Sequence, residues 1–217
     1  MPDLIFDEAT HTYTVGGVEI PSVTTILSYI RGDLSKLNRS VLDAAAERGK
    51  AVHAACEMMD YGGDPELIPG IEPYLDAYQK FLWDYTPEWI GIEAPVVSEG
   101  RTFAGTIDRW GFMRTDAIHM DESPVVLDIK TVASPTVEQK IALCAQTAAY
   151  AEALGYYEGC RRFGLYLKKD GNYRLFDCDE FEAEKGFSGQ EVFAMCYRLF
   201  RQVEAVKAKK RGKKNGI

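Results

Sequence analysis

The chain has 217 residues, and its 33 acidic and 25 basic residues leave a formal net charge of −8. With 46% hydrophobic and 27% charged residues it has the composition of a soluble globular protein, not of a disordered segment, and it is long enough to bury a core. No apolar run approaches the roughly 20 residues that span a bilayer, and a net negative charge taken alone argues against a nucleic-acid partner.

In chain order, Leu4 to Ile20 alternates short β-prone pieces around a Gly16-Gly17 turn and predicts a hairpin. Pro21-Ser22 then opens a helix with Ser22 as N-cap, which Gly32-Asp33 breaks. A longer alanine-rich helix is expected over Ser40 to Tyr61, ended by Gly62-Gly63. After Pro69-Gly70, Ile71, Tyr74, Leu75, Tyr78 and Leu82 fall on one face of another helix.

The pattern then changes to three strands, Trp89 to Val97, Thr102 to Met113 and Pro124 to Thr131. A helix follows over Val137 to Leu154, then a strand pair, Cys160 to Lys168 and Tyr173 to Cys178, and a last helix from Gln190 to Ala208. This order predicts an α/β fold with a mixed sheet flanked by helices and an N-terminal hairpin and helix attached. Residues 1–39 would be the N-terminal appendage, 40–208 the core and 209–217 a basic tail. Trp83, Trp89, Trp110, Tyr156, Tyr157 and Phe163 are expected in the core, His11 and His119 in structural turns, and Asp121-Glu122 in a solvated turn.

The charge is segregated. From Arg201 to Ile217 seven basic residues face one acid, Glu204, so this stretch carries +6 and the remainder −14. Lys210 and Arg211 within it can hold phosphates without reading sequence; a solvated helix end whose lysines complement the C-terminal dipole is the equally good plain reading. Five cysteines without a CxxC pair indicate a reducing compartment. The opening MPDLIFDEAT lacks the basic and apolar regions of a secretory signal, so a cytoplasmic location is expected.

The strand VVLDIKT carries the strongest chemical signal. Residues two apart on a strand share a face, so Asp128 and Lys130 point one way while Leu127 and Ile129 point to the opposite, apolar side. A lone DxK would be a structural ion pair. Here the preceding strand adds Gly105 and Asp108 in GTIDRWGF, and Glu93 lies upstream in IGIEAPV. Two or three carboxylates of this kind suit Mg²⁺, which takes a few oxygen ligands beside water and phosphate. In RGKAVH, Gly49 and His53 share a helix face, and an imidazole from His53 would favour Mn²⁺ beside Mg²⁺. Arg48 could meet a phosphate oxygen. Gln146 and Tyr150 in QTAAY also share a face, among alanines that allow close packing.

The set RGKAVH, GTID, DIK and QTAAY, in this order, resembles the PD-(D/E)XK nuclease superfamily, in particular its RecB-type and CRISPR-adaptation-nuclease-like branch and the phage exonucleases related to it. The opening THTYTVGGVEIPSVTTIL is similar to the N-terminal hairpin and helix of phage-type members. The resemblance implies a restriction-endonuclease-like core and a Mg²⁺- or Mn²⁺-dependent DNA nuclease, an exonuclease acting at DNA ends in phage-type recombination, repair or DNA processing. It implies that His53, Asp108, Asp128 and the Ile129 carbonyl hold one or two ions. Lys130 would be catalytic with Asp128, Asp108 and Glu93, and Gln146 and Tyr150 would lie by the DNA. Implied partners are DNA and a recombination or single-strand-binding protein; no membrane partner is implied. Many relatives carry a 4Fe–4S cluster, but Cys144, Cys160, Cys178 and Cys196 are spaced by 16, 18 and 18 and lack the tight ligand grouping, so no iron–sulfur cluster is expected. A catalytically silent DNA-binding or assembly subunit and an RNA-directed nuclease are the alternatives.

Overall fold

The computed structural model describes residues 4–8, 10, 12–30, 39–66, 68–114, 123–132, 134–156 and 158–214, with the backbone alone over 211–214. The positions read from sequence at His11, Gly32-Asp33, His119, Asp121-Glu122 and Tyr157 lie outside the described residues.

Strands β1 (Leu4–Asp7), β2 (Thr12–Val15) and β3 (Val18–Ile20) form an antiparallel sheet in sequence order. Gly16 and Gly17 between β2 and β3 have φ of 57° and 79°, the left-handed pair that a two-residue hairpin turn demands. The hairpin thus has one strand more than the sequence pattern predicts. Ser22 caps helix α1 (Val23–Ile26) by accepting the Thr25 amide at 3.0 Å, and a single 3₁₀ turn, Leu27–Tyr29, continues it. This N-terminal segment is joined to the core: the Ala104 amide donates to the Pro21 carbonyl at 3.0 Å, and the Tyr13 hydroxyl bonds Thr106 Oγ1 at 2.8 Å.

Helices α2 (Arg39–Asp60) and α3 (Glu72–Tyr85) come next, then β4 (Glu88–Val97), β5 (Ala104–Phe112), β6 (Val125–Lys130), α4 (Val137–Ala153), β7 (Arg161–Leu167) and β8 (Tyr173–Asp177). The five strands form one sheet in sequence order, with β6 and β7 parallel and the other neighbours antiparallel. The α/β architecture, with a mixed sheet between helices, is the expected one. Helix α5 (Cys178–Lys185) is not foreshadowed by an apolar stripe; it forms because Asp177 caps the Glu180 amide, acids fill its first turn and Gly186 ends it at φ 68°. Helix α6 (Gly189–Lys214) runs six residues beyond the expected Ala208, so most of the basic stretch is helical.

The two sheet faces separate two cores. On one face, Val52, Cys56, Tyr78 and Phe81 of α2 and α3 pack on Leu127, Ile129, Phe163 and Leu165. On the other, Ile26, Leu27, Ala145, Ala149, Tyr150 and Phe193 pack on Ile107 and Val126. Helix α4 is buried from Ala142 to Ala151 because it lies between sheet and α6, and its alanines let both approach. Among the aromatic residues expected inside, Phe163 is buried, and Trp89 and Trp110 are half-buried. Trp83 is instead 81% exposed, because the buried face of α3 is set by Tyr74, Leu75, Tyr78 and Phe81 and position 83 falls off it. Among the described residues no helix is long and apolar enough to cross a membrane.

Candidate metal centre

The site forms where β5 and β6 part. Their pairing covers Gly111 with Val125, Trp110 with Val126 and Arg109 with Leu127, and goes no further. Beyond it the Asp108 carboxylate stands in for the lost backbone acceptor, taking the Ile129 amide on Oδ2 at 2.6 Å. A side-chain carboxylate is thereby fixed at the strand fork with its other oxygen, Oδ1, left for another ligand. Asp108 is 8% exposed and Asp128, on β6, is 1% exposed.

Asp128 faces α4, as the strand alternation predicts. Its Oδ1 accepts Gln146 Nε2 at 2.7 Å, and its Oδ2 pairs with Lys130 Nζ at 2.5 Å. Burial pushes the Asp128 carboxyl up, Lys130 opposes this, and the Asp108 charge adds to it. Gln146 also lies 3.3 Å from the Tyr150 hydroxyl one turn on, whose own pKa burial raises strongly. Gly105 is what lets Tyr150 approach β5: a Cβ at 105 would sit 2.6 Å from Tyr150 Cε1.

Helix α2 brings His53 to the fork. Its Nε2 is 3.1 Å from the Ile129 carbonyl, while Nδ1 is 3.3 Å from Glu93 Oε1 and 3.7 Å from Asp108 Oδ2. A carbonyl and ionised carboxylates only accept, so both ring nitrogens carry protons in this arrangement. Burial works against that charge, but Asp108 and Glu93 outweigh it, with Lys130 opposing, and raise the His53 pKa to about 9. Burial likewise works against the Glu93 carboxylate, but His53 and Arg109 hold it below its ordinary range. Glu93, expected from sequence near Asp108 and Asp128 as a further acid, is part of the cluster: Ile92 pairs with Arg109 and Ala94 with Ile107, which sets Glu93 across from Asp108. Its φ of 44° is left-handed, a conformation that non-glycine residues adopt rarely and often at functional sites.

One ligand atom each from His53, Glu93 and Asp108 lies within 4.8 Å of the others. Two ligands on opposite sides of an ion at ~2.1 Å are ~4.2 Å apart, so small side-chain adjustments let this trio grip one cation. One imidazole and two carboxylates are a donor set suited to Mn²⁺ and Mg²⁺. Asp128 stands beside the trio, held toward Lys130 and Gln146. The Ile129 carbonyl adjoins it through His53.

Not every expected residue reaches this centre. The Arg48 guanidinium carbon lies 5.9 Å from the centre of the Tyr74 ring on α3, on a different face of α2 from His53, and its buried Nε has no hydrogen-bond partner among the described residues. Lys210 is exposed on α6, and Arg211 follows it in the same helix. Two residues that sequence reasoning missed, Arg109 and Asp60, are buried beside Glu93. The i,i+7 spacing of His53 and Asp60, two turns apart on α2, was the available signal. A cavity of about 350 Å³, lined by Glu152, Tyr156, Arg162 and Glu182 among others, lies near the start of β7, away from this centre. Its cation is engaged, since Arg162 pairs with Asp179 and Glu182.

No model of a known protein family matches the chain, and no curated protein matches it.

Proposed function

We propose that the protein is a Mg²⁺- or Mn²⁺-dependent deoxyribonuclease that hydrolyses phosphodiester bonds at DNA ends. The observation that carries this reading is the placement of an imidazole–carboxylate trio, His53, Glu93 and Asp108, beside the buried Asp128 and its ion-pair partner Lys130 at one strand fork. The resemblance to phage exonucleases supports action at ends and a role in recombination or repair.

His53, Glu93 and Asp108, with Asp128 adjoining, would hold the cation. When bound there, a divalent ion supplies Lewis acidity at the scissile phosphate and at the attacking water. The chain's own groups do the rest. Gln146 fixes Asp128 through one oxygen, and Asp128 fixes the Lys130 ammonium through the other. Lys130, a third exposed at the rim, donates to the attacking water and to phosphate oxygens as charge develops on them. Lys209 and Lys210, exposed on α6, would contribute phosphate contacts that carry no sequence preference.

The test is to incubate end-labelled linear DNA, and RNA of the same sequence, with Mg²⁺, Mn²⁺ or a chelator. DNA is expected to be cleaved with either ion and not with the chelator, and Asp128→Ala and Lys130→Ala are expected each to lower the rate at least ~100-fold, the scale of losing a general acid–base or charge-stabilising group. Wild-type rates in both variants, salt-sensitive DNA binding without cleavage in either metal, or cleavage confined to RNA would overturn the reading.

A further inference from the structure

We infer that Arg109 is a positioning residue for the metal ligand Glu93, and that a buried anchor built on Asp60 fixes it for that task. This rests on reading the His53–Glu93–Asp108 trio as a metal centre.

Arg109 follows Asp108 on β5 and has no solvent exposure. Its guanidinium is divided among three acceptors. Nε donates to Asp60 Oδ2 at 2.5 Å, while NH1 donates to Glu93 Oε1 at 3.1 Å and to the Asp108 carbonyl at 2.6 Å. One side chain therefore touches both strand-borne members of the trio, Glu93 through its carboxylate and Asp108 through its backbone. Asp60 is held from three sides. Besides Arg109, the Tyr78 hydroxyl lies 2.8 Å from each of its oxygens, and Trp89 Nε1 donates to Oδ1 at 3.2 Å. Its partners come from α3, β4 and β5, so Asp60 ties the end of α2 to the sheet and gives the Arg109 fork a fixed origin.

A buried ion pair alone is weak evidence for a stabilising role, since apolar residues of similar volume often serve as well. The Asp60–Arg109 pair would be complete without Glu93. What it does not explain is why the second arm of the guanidinium reaches the Glu93 carboxylate from below while His53 Nδ1 meets the same oxygen from α2. Both donors converge on Oε1, and among the described residues Oε2 has no hydrogen-bond partner, which leaves that oxygen for a cation. Glu93 also needs such a hold, because its backbone sits at φ 44°. The Asp60 charge compensates the Arg109 charge, so the guanidinium orients Glu93 without adding net repulsion toward a cation. A lysine would keep the charge but has a single terminal nitrogen and cannot serve Asp60 and Glu93 in fixed directions.

The test is a double-mutant cycle read by Mn²⁺ binding to the DNA-free protein, measured by electron paramagnetic resonance, with thermal melts and circular dichroism on each variant. Arg109→Lys is expected to weaken Mn²⁺ binding about tenfold at unchanged charge, and to add no further loss in the Glu93→Gln background. If Arg109→Lys does not fold, Tyr78→Phe takes its place; it frees one side of Asp60 and is expected to weaken Mn²⁺ binding two- to threefold, again with no further loss beside Glu93→Gln. Wild-type Mn²⁺ affinity in the variant, or the same fold-loss with and without Glu93, would overturn the positioning role even if the wild type binds Mn²⁺. Failure of the wild type itself to bind Mn²⁺ would instead overturn the metal centre, and the positioning role with it.

Discussion

At the scale of one residue, His53 holds a proton where the proposed cation would bind. Both ring nitrogens face acceptors, and the neighbouring carboxylates raise the pKa to about 9 from an ordinary 6.5. A histidine whose pKa is raised on folding contributes stability that is fully present below 6.5 and is lost as pH rises through 9. The shift corresponds to roughly 3 kcal/mol at most. In chelator, urea midpoints of the wild type are therefore expected to fall between pH 6.5 and 9, and the fall should flatten in His53→Ala. Metal needs the neutral imidazole, so the stabilisation added by Mn²⁺ should grow over the same range. A flat wild-type profile in chelator would contradict the proton assignment. In sequence, His53 was legible because RGKAVH stands in order with GTID, DIK and QTAAY. Glu93 was harder to place, because its role depends on a left-handed backbone and on β4–β5 register, neither of which IGIEAPV announces.

Between elements, the close fit of α4 on β5 depends on Gly105. A methyl group there would meet the Tyr150 ring at 2.6 Å, and Tyr150 is fixed by burial and by Gln146. Gly105→Ala is expected to cost about 1–3 kcal/mol in denaturant unfolding, the range for overpacking, and to loosen the Gln146–Asp128 bond. An unchanged midpoint would show that Tyr150 moves freely. At the other end of the chain, the basic stretch is helical as far as Lys214. Truncation after Ala208 is expected to weaken DNA binding and to reduce the salt dependence of the affinity, since fewer phosphates are then neutralised; an unchanged salt slope would place the DNA path elsewhere. Element order was readable from period-two and helical patterns. Helix α5 was not, because DCDEFEAEK is mostly charged, with too few apolar residues to show a stripe, and its capping residues mark it best.

For the molecule as a whole, the charge of −8 no longer argues simply against nucleic acid. Glu93, Asp108 and Asp128 are gathered at one fork, where a bound cation would invert the local field. Acids elsewhere act weakly on it, since charges are screened over about 8–10 Å at ordinary salt. The sheet faces and the Asp128–Lys130 orientation were legible in VVLDIKT. The fork itself was not: it arises from pairing between β5 and β6 that stops at Arg109 and Leu127, a tertiary event that strand periodicity does not encode. The most direct measurement is a crystal structure with Mn²⁺ and a short DNA oligonucleotide, using anomalous scattering to locate the ion. Mn²⁺ is expected to be bound by His53, Glu93 and Asp108, with a DNA phosphate within reach of Lys130. Mn²⁺ bound elsewhere, or DNA lying on a face remote from Lys130, would contradict it.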